Sequence, residues 1–172
     1  MSNERNFQKD QIEHLRLIQK QVLEFTNKIL ISAIEHDTSK WSDLEYNAFC
    51  ASRESLRGSK TGQDEDYQKH LKSDAIQYHI KNNPHHAEYW DSIGKKMPVH
   101  EVISMFFDWR SRNIAKGGSM KNFWEFNLKK LENQRHAIPI VEALLEEYGE
   151  NAESEYKQEV DLIRSILNKA SI

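Results

Sequence analysis

Apolar residues in this chain recur mostly at intervals of three and four, the spacing of one face of an α-helix. From about Phe7 to Ile34 the stripe is Leu15, Ile18, Val22, Phe25 and Ile29. Asp37, Thr38 and Ser39 predict the end of that helix and a new cap. Ser42 and Asp43 can start a second helix, which carries Leu44, Phe49 and Leu56. Residues 58–66 read as a loop. Tyr67 to about Asn82 returns to helical spacing through Leu71, Ala75, Ile76 and Tyr78. It should stop at Asn83, because Pro84 biases the residue before it away from helical geometry. A turn near Gly94 and Pro98 follows. The most apolar helix runs from Val99 to about Lys116, with Val102, Ile103, Met105, Phe106 and Trp109 close to one face and Gly117-Gly118 ending it. Further helices are predicted over 120–135, 138–148 and 153–170, with Pro139 tolerated in a first turn. No segment alternates with period two for long enough to form a sheet. The expectation is an all-α, single-domain bundle of about seven helices spanning residues 1–172. Its motif-bearing core covers about 10–116, and C-terminal helices occupy 120–170.

Composition narrows the function classes. At 172 residues, with 38% apolar and 30% charged residues, the chain has the size of one globular domain. A net charge of −3 supplies no global basic field, so duplex nucleic acid is not an expected partner. The single cysteine, Cys50, excludes an internal disulfide framework and a cysteine-based zinc finger. No apolar run is long enough for a membrane span, and the polar start does not resemble a signal peptide. A cytoplasmic protein without a membrane partner is expected, and homo-oligomerisation is left open. Charge is uneven locally. Residues 110–135 hold seven Lys/Arg against two Glu, and residues 142–161 hold eight Asp/Glu against Lys157. Solvated helix faces explain both runs, and an anion-facing role is the alternative for the basic one.

Eight histidines stand out, because several occur in company. His36-Asp37 closes the apolar turn Leu30-Ile31-Ser32-Ala33-Ile34, which predicts a buried helix end. A buried His beside a buried Asp must be paired or bind a metal, although a capping Asp and a packed His would also explain the pair. His79 precedes His85-His86, with Asn83 between them. Neutral imidazoles and carboxylates together suit zinc, iron or manganese; a polar surface loop is the other reading. Asp108 lies in Ser-Met-Phe-Phe-Asp-Trp, where an acid beside an aromatic stripe needs a cation unless it faces water. His14 flanks the stripe of the first helix and could equally be an exposed residue. Trp41, Trp90 and Trp109 read as core rather than as platforms for a substrate.

Taken in order, His14, His36-Asp37, His79, His85-His86 and Asp108 resemble the HD-domain superfamily, a group of all-α metal-dependent phosphohydrolases. His36-Asp37-Thr38-Ser39-Lys40 is similar to the His-Asp-x-Gly-Lys signature of the two-metal branch, with Ser39 in place of Gly. The combination of His-Asp-x-Ser-Lys, Asn-x-His-His and Asp-Trp resembles a small, functionally uncharacterised family common in bacteriophages and bacteria. The similarity covers roughly residues 10–110. It implies that His14, His36, Asp37 and Asp108 hold one metal, and that Asp37 bridges to a second held by His79 and by His85 or His86. The implied cofactor is one or two divalent ions: iron, manganese, cobalt, zinc or magnesium. Lys40, one turn from Asp37, would contact phosphate as a point charge and share the catalytic role with Asp37, a surface lysine after a cap being the other reading; Arg110 and Arg112 follow Asp108 on the same helix, where they could also reach a phosphate of the substrate.

Two departures bear on the chemistry. The acidic residue that this small family places four positions before the final Asp is Ser104 here, with Glu101 one turn further back. The catalytic Glu that some nucleotide-cleaving members carry three residues after the His-Asp is Lys40 here, so that acid/base role does not transfer. The expected activity is hydrolysis of a small phosphorylated compound, a nucleotide among the candidates, in the cytoplasm (of the host, if a phage encodes the chain). The alternatives are a di-iron oxygenase built on the same ligands, a nucleotide- or metal-binding module without turnover, and a helical interaction protein.

Overall fold

The computed structural model describes residues 2–55, 73–116 and 119–149. These residues form an all-α bundle with no strands among them. The helices are α1 (Ser2–Glu35), α2 (Asp43–Ser55), α3 (Asp74–Asn82), α4 (Ala87–Ser92), α5 (Val99–Lys116), α6 (Met120–Asn127) and α7 (Ile138–Tyr148). Short 3-10 turns occupy Thr38–Trp41, Leu128–Leu131 and Arg135–Ala137. The loop read at 58–66 and the helix read at 153–170 lie outside the described residues. No described helix is long and apolar enough to cross a membrane.

The core is organised around α5. Val102, Met105, Phe106 and Trp109 are buried together with Met97, Met120, Trp124, Leu131, Ala137 and Val141. This is the stripe that the spacing picks out, except for Ile103, which is only half-buried and lies outside the cluster. Each large side chain fully removed from water there contributes about 1.5–3 kcal/mol. Gln134 closes the segment before α5 over this core. Its Oε1 accepts from the Met97 N–H at 2.8 Å, and its Nε2 donates to Asp91 Oδ1 at 2.7 Å and to the Lys95 carbonyl at 3.1 Å. Trp109 is in the core and Trp90 packs against it, but Trp41 is 78% exposed and stacks on Tyr46, against the expectation of a core residue.

Local chemistry sets several boundaries. Ser73 caps α3 by accepting from the Ile76 N–H, and Asn83 ends it in an extended conformation, as Pro84 requires. Ser119 caps α6 in the same way. The helix predicted over 120–135 is instead α6 followed by two tighter turns. Asn127, buried at its end, donates from its side chain to the Phe123 carbonyl at 2.8 Å, a local bond that competes with helix continuation. The short α4 was not separately predicted; it fits between Pro84 and the left-handed Gly94 (φ 65°).

The largest difference concerns α1. Its apolar spacing marks one helix face, yet Leu15, Ile18, Val22 and Phe25 on that face are exposed. Contact with α5 begins near the end of α1, where Ser32 donates to Glu101 Oε2 (3.0 Å) or to Ser104 Oγ (2.9 Å). The apolar turn before His36 is also not buried, since Leu30, Ile31 and Ile34 are all exposed. What the end of α1 does is deliver His36 and Asp37 to a junction with α2, α3, α4 and α5.

Candidate metal centre

The junction starts from a backbone feature. Asp37, two residues past the end of α1, has φ 59° and ψ 14° and is the only non-glycine residue with positive φ among those described. This is the left-handed position that commonly terminates a helix, usually filled by Gly or Asn. An Asp there costs about 1 kcal/mol or more, and it turns the chain sharply. The Lys40 N–H then bonds the Asp37 carbonyl at 3.0 Å and opens the 3-10 turn. Lys40 is thereby folded back onto Asp37, with its Nζ paired to Asp37 Oδ2.

Asp37 is the hub of a cluster drawn from every neighbouring element. His79 on α3 places Nε2 at 3.0 Å from Asp37 Oδ1, and His85, before α4, places Nε2 at 3.4 Å from the same oxygen. His36 Nε2 lies 3.4 Å from Asp37 Oδ2 and 3.2 Å from Asp108 Oδ1. Arg112, one turn beyond Asp108 on α5, bonds Asp108 Oδ1 through Nε at 2.8 Å and brings Nη2 to 3.5 Å from Asp37 Oδ2. The imidazoles are in mutual contact, with ring centroids 4.0 Å apart for His36–His85, 4.3 Å for His85–His86 and 5.0 Å for His79–His86.

The electrostatics follow from burial and pairing. Burial alone would raise the Asp37 carboxyl, but hydrogen bonding from His36, His79, His85 and Lys40 outweighs it and holds the group far below the usual carboxylate range. Burial likewise works against ionised Asp108, and His36 and Arg112 overcome it, bringing the group to about 2. Hydrogen bonds to Asp108 and then Asp37 raise His36 to about 9. Burial lowers His85, and burial with the neighbouring imidazoles lowers His86 to about 2. The cluster therefore combines two ionised carboxylates with imidazoles of both kinds, one held protonated and two held as free bases.

Two donor sets satisfy the geometry of a metal site. One is Asp37, His79, His85 and His86; the other is His36, His85 and Asp108; within each, one ligand atom per residue lies within 4.8 Å of all the others. Nitrogen and oxygen donors bound at about 2.0–2.2 Å around one ion sit about 3 Å apart, which is the separation of Asp37 Oδ1 from the His79 and His85 nitrogens. The chemistry of the donors agrees. Asp37 Oδ1 and the Nε2 atoms of His79, His85 and His86 are all buried, and none has a hydrogen-bond partner outside this group. Buried polar atoms are costly unless satisfied, and a cation at their convergence satisfies all four. The residues present fit a divalent metal.

Most of the residues picked out by sequence meet here: His36, Asp37, Lys40, His79, His85, His86, Asp108 and Arg112. Two do not. His14 is exposed on α1, and 1.5 Å of rise per residue puts it about 30 Å from the end that carries His36. The resemblance placed it beside His36 and Asp108, where the third donor is now His85. Arg110 turns away from the cluster, and its Nε donates to the Tyr148 carbonyl at 3.0 Å. The departures at 104 and 101 are also placed, since both residues engage Ser32 on α1.

Sequence reading missed Glu45. It is fully buried on α2 and lies 2.9 Å from His79 Nδ1, beside Ser39 and Asn83. An acid in the first turn of a helix is so common that its identity alone carried no signal.

Residues 3–155 match the model of a family described as a family of unknown function (DUF5662). No curated protein and no solved structure matches the chain. The family match spans most of the sequence, α1 and the whole cluster included, and the chain belongs to that family.

Proposed function

We propose that the chain is a metal-dependent phosphohydrolase of the HD type, acting on a small phosphorylated compound such as a nucleotide. One observation carries this reading: four buried donor atoms on Asp37, His79, His85 and His86 converge with no hydrogen-bond partner outside their own group. Asp37 would hold the ion through Oδ1, with the three imidazoles completing that set. His36 and Asp108 would hold a second ion, with Oδ2 of Asp37 beside it; His85 belongs to both donor sets, and its one lone pair would serve either ion but not both. Bound there, divalent ions supply Lewis acidity, lowering the pKa of a water and neutralising phosphoryl charge.

The chain's own residues supply anion recognition. Lys40 reaches the cluster as a point charge, and Arg112 is half exposed with a planar fork suited to two phosphate oxygens. Both now engage carboxylates, and a phosphate arriving at the rim would compete for the same N–H groups. Because Lys40 stands where some nucleotide-cleaving relatives in the superfamily carry a Glu, no carboxylate at that position serves as proton acceptor.

The test is phosphate release from a panel of nucleotides and phosphomonoesters, with added manganese, cobalt, iron or magnesium. Turnover that stops with chelator and is absent in Asp37→Gly supports the reading; glycine suits the left-handed backbone there. Metal binding with oxygen uptake and no phosphate release would favour oxygenase chemistry instead. Metal or nucleotide binding with no product at all would indicate a binding module.

A further inference from the structure

We infer that Glu45 is a positioning residue: its carboxylate fixes the tautomer of His79, so that Nε2 offers its lone pair to the metal. The inference rests on the metal reading for its consequence, but its basis is a count of donors. Around His79 the possible donors are the Ser39 hydroxyl, the Asn83 amide and Nδ1 itself. Asn83 Nδ2 has two hydrogens, and two oxygens lie in reach: the His79 carbonyl at 2.8 Å and Ser39 Oγ at 2.9 Å. With both used, Asn83 has none left for His79 Nδ1 at 3.1 Å. Ser39 accepts from Asn83 and has one proton, for which Glu45 Oε2 at 3.2 Å is the nearest and the only charged acceptor, ahead of His79 Nδ1 and Asn83 Oδ1, both at 3.3 Å. What remains is the shortest contact, His79 Nδ1 to Glu45 Oε2 at 2.9 Å. A carboxylate has no hydrogen to give, so Nδ1 carries the proton and donates it.

The consequence lies at the other end of the ring. With its one hydrogen on Nδ1, the neutral ring that a metal requires carries its lone pair on Nε2, pointing into the cluster 3.0 Å from Asp37 Oδ1. Two acceptors at that distance repel unless a cation lies against both. Ligating histidines commonly have their second nitrogen fixed by a carboxylate in this way, and removing the partner weakens metal binding by roughly 10–100-fold. The network also explains Ser39, the residue that departs from Gly in the His-Asp-x-Gly-Lys signature. Its hydroxyl joins Asn83 to Glu45, and a glycine there would leave the Asn83 N–H without that acceptor.

The experiment compares wild type with Glu45→Gln by two readouts. The first is long-range proton–nitrogen NMR of the histidine rings in chelator-treated protein. The second is cobalt affinity, measured by competition with a chromophoric chelator. Wild-type His79 should be the Nδ1–H tautomer, and Glu45→Gln should shift toward a mixture and bind cobalt roughly 10–100-fold more weakly. A wild-type His79 with hydrogen on Nε2, or a variant binding cobalt within twofold of wild type, would overturn the inference. If wild type binds no cobalt, the metal reading fails while the NMR result still decides the tautomer. If Glu45→Gln does not fold, the wild-type spectrum alone decides it.

Discussion

Stability of the metal-free chain should peak near neutral pH, because histidines of one cluster oppose each other. His36 is raised from 6.5 to about 9 by hydrogen bonds to Asp108 and then Asp37. A group whose folded pKa is raised contributes stability that is fully present below its unfolded value. That stability is lost as pH climbs through the folded value. The window for His36 is therefore 6.5 to about 9. A rise of this size corresponds to about 3 kcal/mol. With the His36 side chain 23% exposed, solvent screening reduces that to roughly 1–2 kcal/mol. His85 and His86 act in the other direction. Burial lowers both, so the unfolded chain takes up protons that the folded chain refuses, and stability is lost as pH falls below 6.5. The assay is urea unfolding in chelator between pH 5 and 9.5, with wild type beside His36→Gln. Wild type should lose roughly 1–2 kcal/mol between pH 6.5 and 9.5, and the variant should lose much less over the same interval. Below pH 6.5 both should weaken together. A wild-type curve that is flat or rises above pH 6.5, or a variant that declines as steeply, would refute the assignment of His36 as the protonated clamp between Asp37 and Asp108.

Metal uptake should depend on pH for the same reason. Occupying the set that contains His36 displaces its proton, so affinity for a second equivalent of cobalt should rise with pH toward about 9. Affinity for the first equivalent, whose donor set lacks His36, should change less over that range; calorimetry in buffers of different ionisation enthalpy would count the protons released. Arg112→Gln should weaken inorganic phosphate binding to the metal-loaded protein by roughly 10–100-fold, the worth of a hydrogen bond to a charged group. Arg110→Gln should leave it unchanged, because that side chain faces Tyr148; equal effects in an equilibrium titration would contradict the placement. Phe106→Ala, at a fully buried position, should cost about 3–5 kcal/mol. Leu15→Ala, on the exposed stripe of α1, should cost about 0.5 kcal/mol or less, and thermal unfolding would separate the two.

Much of this arrangement is legible in the sequence, for identifiable reasons. The α5 stripe is legible because Val102, Met105, Phe106 and Trp109 pack on one face, and helical period reports a face whenever a partner exists. The end of α3 is legible because Pro84 restricts Asn83 whatever its surroundings. His36, Asp37, His79, His85 and His86 are legible because their residue types are costly to bury singly and occur close to helix ends, and Asp108 because it stands beside the aromatic stripe in the middle of α5. His14 is the instructive failure. Motif order suggested a ligand, but α1 runs unbroken to Glu35, and a continuous helix cannot bring residue 14 back to residue 36. The stripe of α1 misleads similarly, since periodicity marks an apolar face without saying that the fold covers it. Glu45, Ser39 and Asn83 act through partners distant in sequence, and only the packing of α2 against α3 joins them.

The most direct test of the central claim is the metal content of protein prepared without a histidine tag, wild type beside Asp37→Gly. Removing this carboxylate takes away the oxygen that His79 and His85 approach, while the left-handed backbone at φ 59° suits glycine. The account predicts a stoichiometric transition metal in wild type, as isolated or after reconstitution, and its loss in the variant without loss of the fold. Wild type with no metal even after reconstitution, or a variant retaining the full complement, would contradict it.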